Sequence, residues 1–287
     1  MRNAKLPEMF PFIDTKDTSA VQAEVQDAYL EMFPDGSSSF VPEVFRWTVE
    51  CFTGRYDDYA RIDARYHDLE HTMQVTLCFA RLLQGYVADA QTPRLTRRAL
   101  ELGLIAILFH DTGYLKSRAD SQGTGAKYTL VHVSRSMDFA ARFLLKKDFS
   151  ITEIRGIQNM IGCTGVNADV SKIPFQDELE RIVGYALSTA DLLGQMAADD
   201  YVDKLDILYS EFEESAVYAQ KPNFFSSAED LKRKTPAFWD KYVLPHVENE
   251  FKRLYRFLGR PGPEGENWYL QRIDNNLDRL RGELAAA

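Results

Sequence analysis

Apolar positions recur at three- and four-residue spacing along almost all of this 287-residue chain, while the alternation that marks strands is scarce. Thr18-Ser19 offers a cap for a helix running to about Phe33, stopped by Pro34-Asp35-Gly36 and a loop at 37–39. Pro42 stands at the next helix start, followed by Val44, Trp47 and Cys51, with a break near Gly54. Val75, Phe79 and Leu82 give residues 68–88 a helical stripe, broken at Gln91-Thr92-Pro93. Residues 94–110, with Leu100, Leu104 and Leu108, are apolar on several sides, which predicts a central helix. Residues 112–128 read as a loop. Its Gly123 and Gly125 lack the preceding strand and third glycine of a dinucleotide fingerprint. Further helices are expected at 129–147, 150–162, 177–198 and 200–219. A loop at 162–174 contains Gly165 and Asn167. A helical section over 227–258 is interrupted around Pro236 and Pro245. Gly259, Pro261, Gly262, Pro263 and Gly265 form the clearest break before a terminal helix at 267–284. There is no internal repeat and no long linker, so residues 1–287 are expected to form a single all-α domain.

The composition is that of a globular protein, 45% hydrophobic and 27% charged. A net charge of −9 argues against nucleic-acid binding, which needs a basic surface. It leaves room for a small anion held by a metal or local cations. Cys51, Cys78 and Cys163 are odd in number, far apart and without a C-x-x-C pair. They read as buried or idle thiols in a reducing compartment. The start, MRNAKLPEMFPF, has no apolar signal core. The longest strongly apolar run, 102–109, is too short to span a bilayer. A cytoplasmic protein with no membrane partner is expected.

Four of the five histidines fall within residues 67–132. Tyr66-His67-Asp68-Leu69-Glu70-His71 places two histidines at i and i+4, one turn apart if the segment is helical. Phe109-His110-Asp111-Thr112-Gly113-Tyr114 ends the most apolar helix with two metal-type ligands, costly to bury without a partner. Asp191, in Ala190-Asp191-Leu192, lies among apolar helical neighbours. In the order His, His-Asp, Asp, these elements point to a metal site, with incidental or solvated side chains as the alternative.

On these motifs, Y-H-x3-H, H-D-x-G-Y and A-D-L over about residues 60–200, the chain resembles the HD-domain metal-dependent phosphohydrolases. The nearest subgroup is the one similar to the cyclic-nucleotide phosphodiesterases. The resemblance implies an HD-type helical bundle as core, with helical flanks at 1–59 and 201–287. It implies His71, His110, Asp111 and Asp191 as metal ligands. Such a set suits Mn, Fe, Ni, Zn or Mg without choosing among them. Asp111 has two oxygens and can bridge to a second ion. A metal-activated water would attack phosphorus, and His67 matches the position of the proton donor to the leaving oxygen. Asp68 departs from the subgroup's usual Asn. Asp68 or Glu70 would raise the pKa of a nearby histidine if within hydrogen-bond reach. His132 is either a ligand to a second ion or a packed histidine beside the site.

Other features keep two readings. Lys116 and Arg118, with Lys127 further on and Arg65 before the first motif, could hold a phosphate or belong to a solvated loop. Cys163 is a second-ion ligand or, preferred, a buried thiol. His246 reads as a packed or surface histidine. The segment 199–214 carries seven carboxylates against one lysine and reads as an amphipathic helix with an acidic outer face, or as a wall of the substrate pocket. The aromatic tail (Phe224, Phe225, Phe238, Trp239, Tyr242, Phe251, Tyr255, Trp268, Tyr269) should pack on the core, cover the site or form a homodimer contact.

The expected function is hydrolysis of a phosphomono- or phosphodiester of a nucleotide-like small molecule. The alternatives are an oxygenase with a dinuclear iron site on the same fold, and a non-catalytic helical protein with a structural metal. Between Val133 and Ala190 there is no histidine, which argues against the His-rich oxygenase site.

Overall fold

Short polar side chains set most of the helix starts. The computed structural model describes residues 10, 12–165, 168–259 and 266–286. Among these residues it holds ten α-helices and no strand, so the all-α class stands. The helices are α1 (Thr18–Met32), α2 (Phe40–Phe52), α3 (Leu69–Ala88), α4 (Arg97–Phe109), α5 (His132–Leu145), α6 (Ile151–Ile161), α7 (Glu178–Met196), α8 (Tyr201–Ala219), α9 (Ala228–Phe238) and α10 (Trp268–Ala286). Asp17, not Thr18 or Ser19, caps α1 by accepting from Ser19 N and Ala20 N. Asp68 caps α3, Thr96 caps α4, and Ser150 with Glu153 forms a reciprocal capping box on α6.

The loop expected over 112–128 contains two 3-10 turns, Thr112–Tyr114 and Gly125–Tyr128. Neither Pro236, which lies inside α9, nor Pro245 ends the helical path. It continues through π-helical turns at Trp239–Val243 and His246–Glu250 and a 3-10 turn at Leu254–Leu258. Asn167 and the residues 261–265 of the expected break lie outside the described residues.

Helix α4 is the centre of the core, as its density of apolar side chains predicts. Leu100, Leu104, Ile105, Ile107, Leu108 and Phe109 are fully buried, and α2, α3, α6 and α7 pack around it. Burying such side chains contributes roughly 1.5–3 kcal/mol each. The most extensive helix–helix packing is between α3 and α7. Gly194 permits the approach: a Cβ there would stand 3.0 Å from Val75 Cα. Val75 is one turn beyond His71 and Gly194 nearly one turn beyond Asp191, so this contact brings the two polar residues of the pair together.

The aromatic tail packs on the core. Trp239, Phe251, Tyr255, Phe257 and Tyr269 are buried, whereas Phe224 is exposed. Among the described residues no helix is long and apolar enough to cross a membrane.

Candidate metal centre

The first motif is not helical at His67. Asp68 is the cap of α3 and accepts from the backbone N–H of His71 at 2.9 Å, so His67 lies before the helix and His71 in its first turn. The two rings still meet, with centroids 5.5 Å apart. They converge because the chain turns at the cap, not because they share a helical face. Asp68 and Glu70 are therefore not the carboxylates beside the histidine rings. Asp68 holds the helix end, and Glu70 pairs with Lys204 at 3.0 Å.

His110 is the C-terminal cap of α4, and Asp111 leads into the first 3-10 turn. The glycine of H-D-x-G-Y has a local cause: a Cβ on Gly113 would lie 2.0 Å from the His132 carbonyl oxygen. Gly113 N–H also donates to Ser136 Oγ at 2.8 Å, and Arg135 clamps the turn through the carbonyls of Gly113 and Leu115. Gly113→Ala should destabilise the fold by about 3 kcal/mol. Denaturant unfolding measures this, and a change under about 1 kcal/mol would mean the turn relaxes freely.

Four ligand-type side chains meet at one buried point. His71 Nε2 and His110 Nε2 are each 3.3 Å from Asp111 Oδ2, and 3.5 and 3.6 Å from Asp191 Oδ1. One ligand atom from each of His71, His110 and Asp191 lies within 4.8 Å of the others. These separations place the groups in one another's field without aligned hydrogen bonds. His71 Nε2, His110 Nε2 and Asp111 Oδ2 are fully buried and have no hydrogen-bond partner. Buried polar atoms are almost always paired, so three orphans facing one point fit a divalent cation.

The remaining contacts of the group orient it. His110 Nδ1 donates to Ile107 O at 2.7 Å, which leaves the Nε2 lone pair facing the centre. Tyr66 donates to Gln195 at 2.9 Å, and Gln195 in turn donates to the Asp191 carbonyl at 2.9 Å.

The electrostatics agree with the donor set. Burial opposes charge on His71 and His110, but Asp111 and Asp191 outweigh it and raise both imidazoles, His71 to about 10. Burial would lift the two carboxyls, yet the histidines hold Asp111 and Asp191 well below the usual carboxylate range. Two ionised carboxylates thus press a positive charge onto the centre, which a metal ion would supply in place of protons.

Asp111 faces two ways. Its Oδ1 is 3.7 Å from His132 Nε2, and His132 is oriented by a contact from Nδ1 to Thr129 O at 2.6 Å. Burial dominates at His132 and lowers its pKa. The His67, Tyr114 and His132 rings are stacked, at 4.4 and 4.8 Å.

Glu211 of α8 was not expected. It lies on the buried phase of that helix with Tyr201, Leu205 and Ser215, so the acidic face of 199–214 is not wholly outward. Its Oε2 is 2.6 Å from His67 Nδ1, while Oε1 accepts the N–H groups of Arg65 and Tyr66 at 2.7 and 2.8 Å. Burial would raise the Glu211 carboxyl, but His67 and the two backbone donors outweigh it and hold it below the ordinary range. The stabilisation is then present above the unfolded glutamate pKa, about 4.3, and lost as pH falls through the folded value. Glu211→Gln should therefore lower Tm most near neutral pH, with the difference shrinking below about pH 4. Thermal unfolding across that range tests it, and a difference independent of pH would count against the charged contact.

The loop cations are engaged by the chain itself. Lys116 donates to the Gly123 carbonyl and pairs with Asp63 at 2.9 Å, and Arg118 donates to Gly54 O at 2.6 Å. Lys127 is buried against Asp120 and the Gln122 carbonyl. Their bonds brace the loop, and the phosphate role expected of Lys116 and Arg118 gains no support. Cys163 is a buried thiol contacting Asn159 O, and burial pushes its pKa up. His246 packs on Tyr242 at 4.1 Å.

A family model described as Npun_R2479-like matches residues 19–260. The chain belongs to this family. No curated protein matches it. The matched span includes every residue of the centre and Glu211.

Proposed function

We propose that the chain is a metal-dependent phosphohydrolase of the HD type, cleaving a phosphomono- or phosphodiester of a nucleotide-like small molecule. The observation that carries this reading is the set of buried, unpartnered atoms His71 Nε2, His110 Nε2 and Asp111 Oδ2, joined by Asp191, beside an imidazole held by a carboxylate. These four residues would hold a divalent cation. When bound, such an ion supplies Lewis acidity and an activated water for attack on phosphorus.

The chain's own residues supply the rest. Glu211 fixes the Nδ1 side of His67, and the stack on Tyr114 fixes the ring plane. The Nε2–H of His67 is then left to give a proton to the leaving oxygen. The buried free thiols Cys51, Cys78 and Cys163 fit a cytoplasmic, reducing setting.

The contact between Asp111 Oδ1 and His132 Nε2 favours a second ion and so keeps a dinuclear iron oxygenase as the second reading. Metal analysis of the purified protein, run with a panel of phosphomono- and diesters under air and under anaerobic conditions, separates the two. Hydrolysis indifferent to oxygen supports the first. Turnover that consumes oxygen supports the second. Bound metal with neither activity leaves a structural ion.

A further inference from the structure

An open groove of about 450 Å³ lies between the end of α2, the segment leading into α3, and α8. Neither His67 nor any of the four ligand-type residues lines it. Ile62, Leu69 and Ile207 line it over the buried Phe52, and Arg61 and Arg65 also border it. The volume is within the range of small-molecule sites.

The charges around it are unequal in one respect. Each carboxylate of the lining already has a partner. Asp63 pairs with Lys116 at 2.9 Å and accepts the Gly125 N–H at 2.7 Å. Asp68 caps α3 through the His71 N–H, and Glu70 pairs with Lys204. The guanidinium groups of Arg61 and Arg65 have no partner among the described residues. An arginine presents a planar fork of donors matched to carboxylate, phosphate or sulfonate oxygens. Arg61 and Arg65 are exposed, so in a chain of net charge −9 two guanidiniums without an internal partner stand beside apolar side chains and are open to an anion.

We propose that this groove binds an organic anion, with its charged head on Arg61 and Arg65 and its apolar body on Ile62, Leu69 and Ile207. The site is separate from the metal centre and does not rest on the hydrolase reading.

Isothermal titration calorimetry with 1-naphthalenesulfonate tests it, because this probe is not hydrolysable and its sulfonate is a poor metal ligand. The full-length protein should bind one equivalent. The Arg61→Gln/Arg65→Gln double variant should bind at least about tenfold more weakly, and uncharged 1-naphthylmethanol should be weakened to a similar degree. Ile207→Trp, which fills the groove, should abolish binding, with circular dichroism verifying that the variants are folded. Asp111→Ala should bind the probe as the wild type does. The proposal is overturned if the probe does not saturate the wild type. It is equally overturned if the double variant keeps full affinity, or if Asp111→Ala alone removes binding.

Discussion

Asp111→Ala is expected to strip the protein of divalent metal and to lower phosphate-ester hydrolysis by more than about a thousandfold. Asp111 approaches three imidazoles at once: Oδ2 lies 3.3 Å from both His71 and His110, and Oδ1 faces His132. Without it, the field holding the centre loses one of two carboxylates. The two buried imidazoles, raised by that field, then fall back towards the neutral form that burial favours. The change should also be visible without substrate. A ligand at a hundred times its dissociation constant stabilises the folded state by about 2.7 kcal/mol. Manganese at that excess should therefore raise the Tm of the wild type and leave the variant unmoved. Plasma mass spectrometry, thermal unfolding and hydrolysis of bis(4-nitrophenyl) phosphate give three independent readings. Retention of metal and activity would place the site elsewhere. Loss of metal with no hydrolysis in the wild type would keep the metal centre and remove only the phosphohydrolase reading.

The parts of this molecule legible in the sequence are those fixed by local periodicity and by strong ligand chemistry. The apolar density of 94–110 predicts a buried central helix, found at Arg97–Phe109, and His-Asp at its end predicts a polar site in the core. What escaped was set by tertiary direction. His67 and His71 look like a helical pair, but Asp68 caps the helix between them, and an Asp is as good a cap as a ligand partner. Glu211 shares a face with Ser215, four residues on, and lies at the edge of the buried stripe of α8, where six other carboxylates in its neighbourhood hid it. Its burial is set by the tertiary contact with His67 and the N–H groups of Arg65 and Tyr66, which no local periodicity marks. The loop cations kept two readings for the opposite reason. Composition cannot tell a lysine that waits for a phosphate from one that already holds Gly123 and Asp63.

His67→Ala is expected to lower hydrolysis by about a hundredfold to ten-thousandfold, the usual contribution of a positioned general acid, while leaving bound metal unchanged. The imidazole is held on one side by Glu211 at 2.6 Å and on its face by Tyr114 at 4.4 Å. That anchoring fixes the ring beside the centre and leaves Nε2 as the atom the proposed acid role would use. The leaving group provides the discriminating measurement. A 4-nitrophenolate departs without a proton, so aryl esters should lose least, whereas an alkoxide needs protonation and alkyl esters should lose most. A purely structural role for His67 would depress both classes equally. Glu211→Gln should fall between the wild type and His67→Ala on alkyl esters, because it retains an acceptor for the backbone N–H groups of Arg65 and Tyr66 but withdraws the carboxylate that orients His67 through Nδ1. Equal losses on aryl and alkyl substrates in both variants would remove His67 from proton transfer and leave it as a wall of the site.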